Sequence, residues 1–120
     1  MGLAEAAQPS VGASYARLVE EIRLVGLTYE ELGELTGVGG RQVQNWAAGT
    51  SKPSDGSRDR LVDVYYIVQQ LGEVYRPEGV EIWLRAKNRT FRGRRPLELL
   101  LEGDLEPVFD AVERLASGAA

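Results

Sequence analysis

The stretch that most constrains the fold lies between residues 28 and 54, where start and stop signals for two short helices follow one another. Thr28 and Glu31 have the spacing of a capping box and predict that a helix begins at Thr28. Gly37 is placed to end that helix, because only glycine takes a positive φ angle without steric cost. A second helix is expected from about Gly40 to Ala48. Two short helices joined by a glycine-marked turn have the layout of a helix-turn-helix.

The outward face of the second predicted helix carries side chains that can pair with the edges of bases. Arginine forms two hydrogen bonds with guanine, and glutamine or asparagine forms two with adenine. The stretch from Thr28 through the closing GTSKPS resembles the Xre/Cro-repressor family of helix-turn-helix domains. This resemblance implies that the second helix lies in the DNA major groove. The residues that we expect to contact DNA are Tyr29, Arg41, Gln42, Gln44, Asn45, Thr50 and Lys52.

Two features weaken the expected DNA affinity. The Xre family commonly caps the recognition helix with serine or threonine, whereas this chain has Gly39 and Gly40 there and loses a capping hydrogen bond. The net charge of −4 is also unusual for a free-standing DNA-binding module. Dimerisation that gathers cations on one side, weak binding by the chain alone, or a basic partner would each account for this charge. The alternative is an ordinary helical hairpin with a solvated polar face. The cations that dimerisation would gather are Arg41, Lys52, Arg58 and Arg60.

The composition of the 120 residues excludes several classes of protein. A hydrophobic fraction of 43% suffices for one domain or for two small ones that share a core. No apolar run reaches the roughly 18 residues of a membrane span, and no signal peptide is visible, so a cytoplasmic protein without membrane contact is expected. With neither histidine nor cysteine, the chain lacks the commonest general base and thiol nucleophile. We therefore predict no enzyme activity, no catalytic residues, no metal site and no cofactor.

The rest of the N-terminal half predicts two more helices. Residues 1–13 have no period and are expected to be disordered. A helix from about Ser14, its cap, to Val25 completes a three-helix bundle with the pair described above. A long helix from about Asp59 to Tyr75 follows a polar turn at residues 54–57 and is apolar around most of its circumference. Such a helix must be covered on both flanks. One flank would close the helix-turn-helix core, and the second would meet either the C-terminal half or a second copy of the chain. We expect a homodimer, and a central core helix in a monomer is the alternative.

The C-terminal half begins with a predicted helix from Glu78 to Ala86. A loop from Arg85 to Pro96 then carries six basic residues and no acidic one. Such a loop indicates phosphate contact or an acidic partner, or else a solvated loop that balances acidic helices. Pro96 is expected to open a helix that Gly103 stops. A last helix, capped by Asp104, should reach about Ser117.

This half carries a second resemblance, in the segment WLRAKNRTFRGRRPLELLLEGDLEPVFDAVERLASG. It is similar to the toxin-binding domain of Xre/MbcA/ParS-type antitoxins, in which a tryptophan-leucine pair precedes an asparagine, a basic or glycine turn and a proline with two leucines. The two resemblances together cover roughly residues 14 to 118. The positions that carry the second one are Trp83, Leu84, Asn88, Gly93, Pro96, Leu99, Leu100 and Gly103.

The resemblance implies an all-α chain with a helix-turn-helix domain at residues 14–75. A long central helix would join it to a small helical toxin-binding domain at residues 76–120, with a flexible tail. It also implies an antitoxin that obstructs the active site of a RES-domain toxin, which degrades NAD or transfers ADP-ribose, and that represses its own promoter. The implied partners are this toxin, in a higher hetero-oligomer, and double-stranded DNA. The expected toxin-binding residues are Trp83, Arg85, Asn88, Arg89, Arg114, Leu115, Ser117, Gly118, Ala119 and Ala120.

Two other functions are compatible with the sequence. The first is a stand-alone Xre-type transcriptional regulator whose C-terminal half only dimerises; it would bind its operator tightly without a partner. The second is an interaction module whose helix-turn-helix no longer binds DNA, which the net charge and the glycine pair would explain.

Overall fold

The computed structural model describes the backbone of residues 11–118 and the side chains of residues 14–118. These residues form seven α-helices and, between the fifth and the sixth of them, a short 3-10 helix at Arg89–Phe91. One isolated bridge pairs Asn88 with Arg94, and residues 11–118 contain no strand. The all-α fold class is therefore confirmed. The α-helices are α1 (Val11–Arg23), α2 (Tyr29–Thr36), α3 (Gly40–Ala47), α4 (Asp55–Gly72), α5 (Pro77–Arg85), α6 (Pro96–Leu101) and α7 (Glu106–Ala116).

Several helix ends follow from local signals in the sequence. The Thr28 hydroxyl accepts a hydrogen bond from the backbone N–H of Glu31, and the Glu31 carboxylate accepts one from the Thr28 N–H, which confirms the capping box of α2. Gly37 ends α2 in the left-handed region, at φ 86°. Pro96 occupies the first turn of α6, where its missing N–H costs no intrahelical bond. Gly103 follows α6 with a φ of 84°.

Three predicted helix starts were wrong. The first helix begins at Val11, so Ser14 lies inside it and does not cap it. Residues 1–10 of the segment predicted to be disordered lie outside the described part of the chain. The long helix begins four residues before Asp59, because the Ser54 hydroxyl accepts a hydrogen bond from the Ser57 N–H and caps α4 at Asp55. Asp104 does not cap α7, because Leu105 occupies the N-cap position and no side chain caps the helix; the Asp104 N–H bonds instead to the Leu99 carbonyl oxygen and closes α6.

The two halves of the chain share one hydrophobic core. Buried apolar side chains form a continuous cluster from Val19 in α1 to Val112 in α7. Helix α4 lies at its centre and packs against α1, α2, α5 and α7, while α6 packs against α2. The second flank of α4, which required either the C-terminal half or a second copy of the chain, is thus covered mainly by α7. Within residues 11–118, no helix is both long and apolar enough to cross a membrane.

Candidate functional site

Helices α2 and α3 approach each other closely at two glycines. A Cβ atom on Gly33 would lie 2.6 Å from the Val38 carbonyl oxygen, so only glycine fits at this position of α2. A Cβ on Gly40 would lie 3.3 Å from the backbone nitrogen of Glu30, which places the start of α3 against the start of α2. This contact fixes the position of the start of α3 against α2. It also gives Gly40 a packing role beyond its missing cap.

The outer face of α3 presents the polar side chains that the sequence singled out. Arg41, Gln42 and Gln44 are exposed, while Val43 and Trp46 on the opposite face are fully buried. Asn45 is half-buried, and its side-chain amide donates a hydrogen bond to Gln42 Oε1 at 3.2 Å. Arg41, Gln42 and Gln44 therefore share one accessible surface, with Asn45 beside them. All four side chains can form paired hydrogen bonds with base edges.

The other expected DNA contacts flank α3. The Thr50 hydroxyl donates a hydrogen bond to the Asn45 carbonyl oxygen at 3.2 Å and so helps to close the helix, whereas Lys52 is exposed in the following loop. Tyr29, at the start of α2, is half-buried beneath the Arg23 guanidinium, which lies 3.9 Å from the ring centroid. One face of the Tyr29 ring is therefore covered by the Arg23 guanidinium in a cation–π contact.

Arg85 ties the two halves of the chain together. Its guanidinium donates hydrogen bonds to both carboxylate oxygens of Glu31, each at 2.7 Å, and another to the Gly26 carbonyl oxygen at 2.9 Å. Its Nε also donates to Glu81 at 3.1 Å. The hydrogen bonds from Arg85 lower the pKa of Glu31 and outweigh the effect of its partial burial. An arginine expected to contact a toxin is therefore already engaged in the structure. We call this group of four residues the Arg85 latch.

Trp83 lines a groove on the surface of α5. Its indole packs edge-on against Phe91, with ring centroids 6.3 Å apart and planes at 85°. The groove has a volume of about 270 Å³, and Ile82 beside it leaves 66% of its surface exposed. Ile82 was not among the expected toxin contacts. An isoleucine next to Trp83, on a short helix with acidic neighbours, could have indicated an apolar side chain at the surface. The residues that line the groove are Tyr75, Gly79, Ile82, Trp83, Ala86, Lys87 and Asn88.

The loop after α5 is held by its own backbone. Asn88 Oδ1 accepts a hydrogen bond from the Thr90 N–H at 2.9 Å, and the Asn88 backbone bridges to Arg94. Asn88 therefore shapes the turn, while Arg89 is exposed. We call residues 87–95 the basic loop. Arg94 pairs with Glu102, and Arg95 pairs with Glu98 and donates a hydrogen bond to the Arg85 carbonyl oxygen.

The end of α7 is accessible at the surface. Arg114 is exposed, and Leu115 is half-buried against the core. Ser117 is exposed and donates a hydrogen bond from its hydroxyl to the Arg114 carbonyl oxygen at 3.1 Å. Gly118 ends the described residues with a φ of 78°, and the expected contacts at Ala119 and Ala120 lie outside them.

A small aromatic patch lies where α4 meets α7. The rings of Tyr66 and Phe109 are 5.7 Å apart, and the Tyr66 hydroxyl donates a hydrogen bond to Glu113 at 3.1 Å. Val62, one turn earlier on α4, leaves 46% of its surface exposed. Among residues 11–118, no cluster of three or more acidic, histidine or cysteine side chains forms a metal site.

Comparison with known proteins places this chain in a family. Residues 70–118 match the family model of the antitoxin Xre/MbcA/ParS C-terminal toxin-binding domain. The mycobacterial cidal antitoxin MbcA of Mycobacterium tuberculosis is 31% identical over 97 residues, which cover 81% of this chain and 86% of that protein. The chain belongs to the Xre/MbcA/ParS antitoxin family. A second member, a probable mycobacterial cidal antitoxin of M. tuberculosis, is 33% identical over 104 residues, which cover 87% of this chain and 89% of that protein.

The similarity to this antitoxin family extends to the three-dimensional fold. A chain in the crystal structure of the M. tuberculosis MbcT–MbcA toxin–antitoxin complex superimposes with a TM-score of 0.72 at 30% identity. The alignment covers 88% of this chain and 96% of that one, so it spans both the α1–α4 part and the C-terminal helices. The whole arrangement, and not only the C-terminal domain, is therefore that of an Xre/MbcA/ParS antitoxin.

Proposed function

We propose that this chain is an antitoxin that binds and neutralises a cognate NAD-consuming RES-domain toxin and represses its own promoter. The observation that carries the proposal is its similarity, over most of its length, to an antitoxin and to a chain in a toxin–antitoxin complex. We assign residues 14–75 to the DNA-binding domain and residues 76–120 to the toxin-binding domain, although the two share a core. The protein acts in the cytoplasm, where both partners are found.

Toxin binding is assigned to the surface of α5 and to the end of α7. The groove beside Trp83 offers an apolar surface on α5, on which the side chain of Ile82 is exposed. Arg114, Ser117 and Gly118 offer an accessible edge that continues into the small residues of the tail. The antitoxin needs no chemistry of its own for inhibition, because a complementary surface that covers the NAD pocket suffices.

DNA binding is assigned to the exposed face of α3, which carries Arg41, Gln42 and Gln44. A homodimer that joins two chains through the Val62, Tyr66 and Phe109 patch would present two such helices to the half-sites of an operator. The patch supports this arrangement because it leaves two large apolar side chains of α4, Val62 and Tyr66, exposed. Toxin bound to such a dimer would give the higher hetero-oligomer.

Deleting residues 117–120 tests the obstruction of the active site. The deletion leaves α7 intact, so we expect the variant to co-purify with its cognate toxin. We expect it to lose at least tenfold in inhibition of NAD consumption, because the segment nearest the pocket is gone. The measurements are NAD consumption by the purified toxin and complex formation by calorimetry. Deletion of residues 2–5, at the other end of the chain, is the matched control.

The outcomes of this experiment separate the alternatives. Full inhibition by the shortened chain would show that the tail does not obstruct the pocket. Failure of the wild-type chain to form any complex with a RES-domain toxin of the same organism, together with tight operator binding, would support the stand-alone regulator instead.

A further inference from the structure

Three helices begin on the same side of the molecule. The contact between Gly40 and Glu30 joins the start of α3 to the start of α2. The Glu31–Arg85 pair joins the start of α2 to the end of α5, and the hydrogen bond from Arg95 Nε to the Arg85 carbonyl oxygen, at 2.9 Å, continues to the start of α6. We call this side of the molecule the start side. The basic loop leads directly into α6 and therefore lies here.

The opposite ends of α2 and α6 also lie together, which fixes their direction. The Ser57 hydroxyl donates a hydrogen bond to the Thr36 carbonyl oxygen at 2.8 Å, so α2 ends beside the start of α4. A Cβ on Gly103, just after α6, would lie 3.7 Å from the guanidinium of Arg60, also in the first part of α4. Helices α2 and α6 therefore run in the same direction. The basic loop, which precedes α6, lies on the same side of the molecule as the start of α2.

DNA approaches a helix-turn-helix from this side. The N-terminal residues of a recognition helix contact the base edges, while the preceding helix crosses the phosphate backbone. Positive side chains and helix N-termini near that backbone supply contacts that are independent of sequence. The basic loop is thus placed beside the DNA that α3 would contact.

Half of the basic charge between Arg85 and Arg95 is neutralised within the chain, and half is not. Arg85, Arg94 and Arg95 pair with Glu31, Glu102 and Glu98, as expected for a loop that balances acidic helices. The other three cations are exposed and form no ion pair with any residue between 14 and 118. They are Lys87, Arg89 and Arg92.

Arg92 has a backbone conformation that arginine rarely adopts. Its φ of 58° is the only positive value among the non-glycine residues that the structure describes. The left-handed region costs an ordinary side chain about 1–2 kcal/mol, and glycine or asparagine takes this position more readily. This backbone conformation is therefore imposed by the turn around Arg92, which leaves the charged side chain exposed beside the start of α6.

We propose that Lys87, Arg89 and Arg92 contact the phosphate backbone of the DNA that flanks the base pairs contacted by α3. This inference rests on the DNA binding that we propose above and extends the binding surface into the C-terminal half. It also adds three cations that form no ion pair within residues 14–118 to the DNA-facing side of a chain of net charge −4, where they would offset the exposed carboxylate of Glu30. An acidic surface on the toxin is the competing ligand.

The test measures how DNA affinity depends on salt for the full-length variant K87Q/R89Q/R92N. Asparagine is chosen at position 92 because it tolerates the left-handed conformation, so the variant should melt at or above the wild-type temperature. Removing one phosphate interaction makes the plot of log K against log salt concentration shallower by about 0.9. We expect a slope shallower by roughly two to three and affinity at least tenfold weaker at 0.1 M salt, equally for promoter and unrelated duplexes.

Two control variants make the result specific. R76Q removes another exposed arginine at the far end of the nine-residue helix α5, about 13 Å away, and should leave the slope unchanged. R41A should weaken binding to the promoter more than binding to an unrelated duplex, because it removes a contact with a base. Shortening the duplex stepwise from its ends should weaken binding by the wild type but not by the triple variant, because only the wild type contacts the flanks.

Each outcome decides between the proposals. A triple variant that stays folded and keeps the wild-type slope overturns the basic-loop proposal, and the R41A result then shows separately whether α3 binds DNA. Loss of toxin binding with an unchanged slope also overturns it and assigns the loop to the toxin. If the wild-type chain, alone and in complex with toxin, shows no salt-dependent binding, both the loop proposal and the proposed DNA binding fail. R89Q alone, at an exposed position, serves as the second variant if the triple variant does not fold.

Discussion

At the scale of single residues, Gly39 shows where the chain forgoes stability. It precedes α3 with φ −82° and ψ 164°, which any residue can adopt, and an added Cβ meets no described atom within 4 Å. We predict that Gly39→Ser raises the free energy of unfolding by about 0.5–1 kcal/mol, because serine caps α3 and restricts the unfolded chain. Urea unfolding monitored by circular dichroism measures this change. A variant no more stable than the wild type would contradict it.

Gly33 provides the matched control for this substitution. The same change, Gly33→Ser, places a Cβ against the Val38 carbonyl oxygen and should destabilise the chain by about 1–3 kcal/mol. The two glycines look alike in the sequence. Thr28 and Gly37 were predictable because their roles depend only on neighbouring residues. The role of Asp104 was not, because α7 begins one residue later than an Asp104 cap requires and Leu105 takes the N-cap position.

At the scale of helices, the contact between α2 and α5 depends on the ionisation of Glu31. Its pKa is lowered from the ordinary 4.5, chiefly by hydrogen bonds from Arg85. A carboxylate with a lowered pKa stabilises the fold above its unfolded-state pKa, and this contribution is lost as the pH falls through the folded-state pKa. Glu31→Gln keeps the capping box, since glutamine also serves at that position, but removes the charge.

We therefore predict a pH-dependent difference between wild type and Glu31→Gln. The variant should be about 1–2 kcal/mol less stable at pH 7, a range reduced for the partial exposure of the pair. The difference should shrink as the pH falls below about 4.5. Denaturant unfolding at a series of pH values measures it. Arg17→Gln, which removes an exposed pair, should change stability by less than about 0.5 kcal/mol at either pH. A constant difference across the series would show that the charge is not involved.

The sequence showed only one of the two roles of Glu31. Its spacing from Thr28 predicted the capping box, which is a local motif. Its pairing with Arg85 joins residues 54 positions apart, and no periodicity or spacing reports such a contact. For the same reason Arg85 was grouped with the expected toxin contacts, because a basic residue in a basic segment resembles a binding residue until its partner is located.

At the scale of the whole molecule, the continuous core predicts that both halves unfold together. Leu100 in α6 is 1% exposed, so Leu100→Ala should cost about 2–5 kcal/mol. Trp46 in α3 would report this loss from the other half when Trp83 is replaced by phenylalanine to remove its signal. We expect the fluorescence and circular dichroism transitions to shift together. Leu24→Ala, at a position 71% exposed, should shift neither.

Separate transitions for the two signals would show that the halves fold independently. The sequence predicted two domains, because two resemblances meet near residue 75, and it allowed a shared core without deciding for it. Because α4 is apolar around most of its circumference, the sequence indicated that other parts of the protein cover both of its flanks. Identifying α7 as the cover required the structure, because the choice between an intrachain helix and a second copy depends on the path of the chain and not on composition.

The Arg85 latch limits how such antitoxins can recombine. Gly26 has a φ of 93°, which favours glycine, and the Arg85 guanidinium holds the Gly26 carbonyl oxygen together with Glu31 and Glu81. A chimera spliced between α4 and α5 would take Gly26 and Glu31 from one parent and the residues at positions 81 and 85 from another. Such an exchange would therefore keep the contact between the two halves only if positions 26, 31, 81 and 85 were transferred as a set, even though the splice itself falls in an exposed turn.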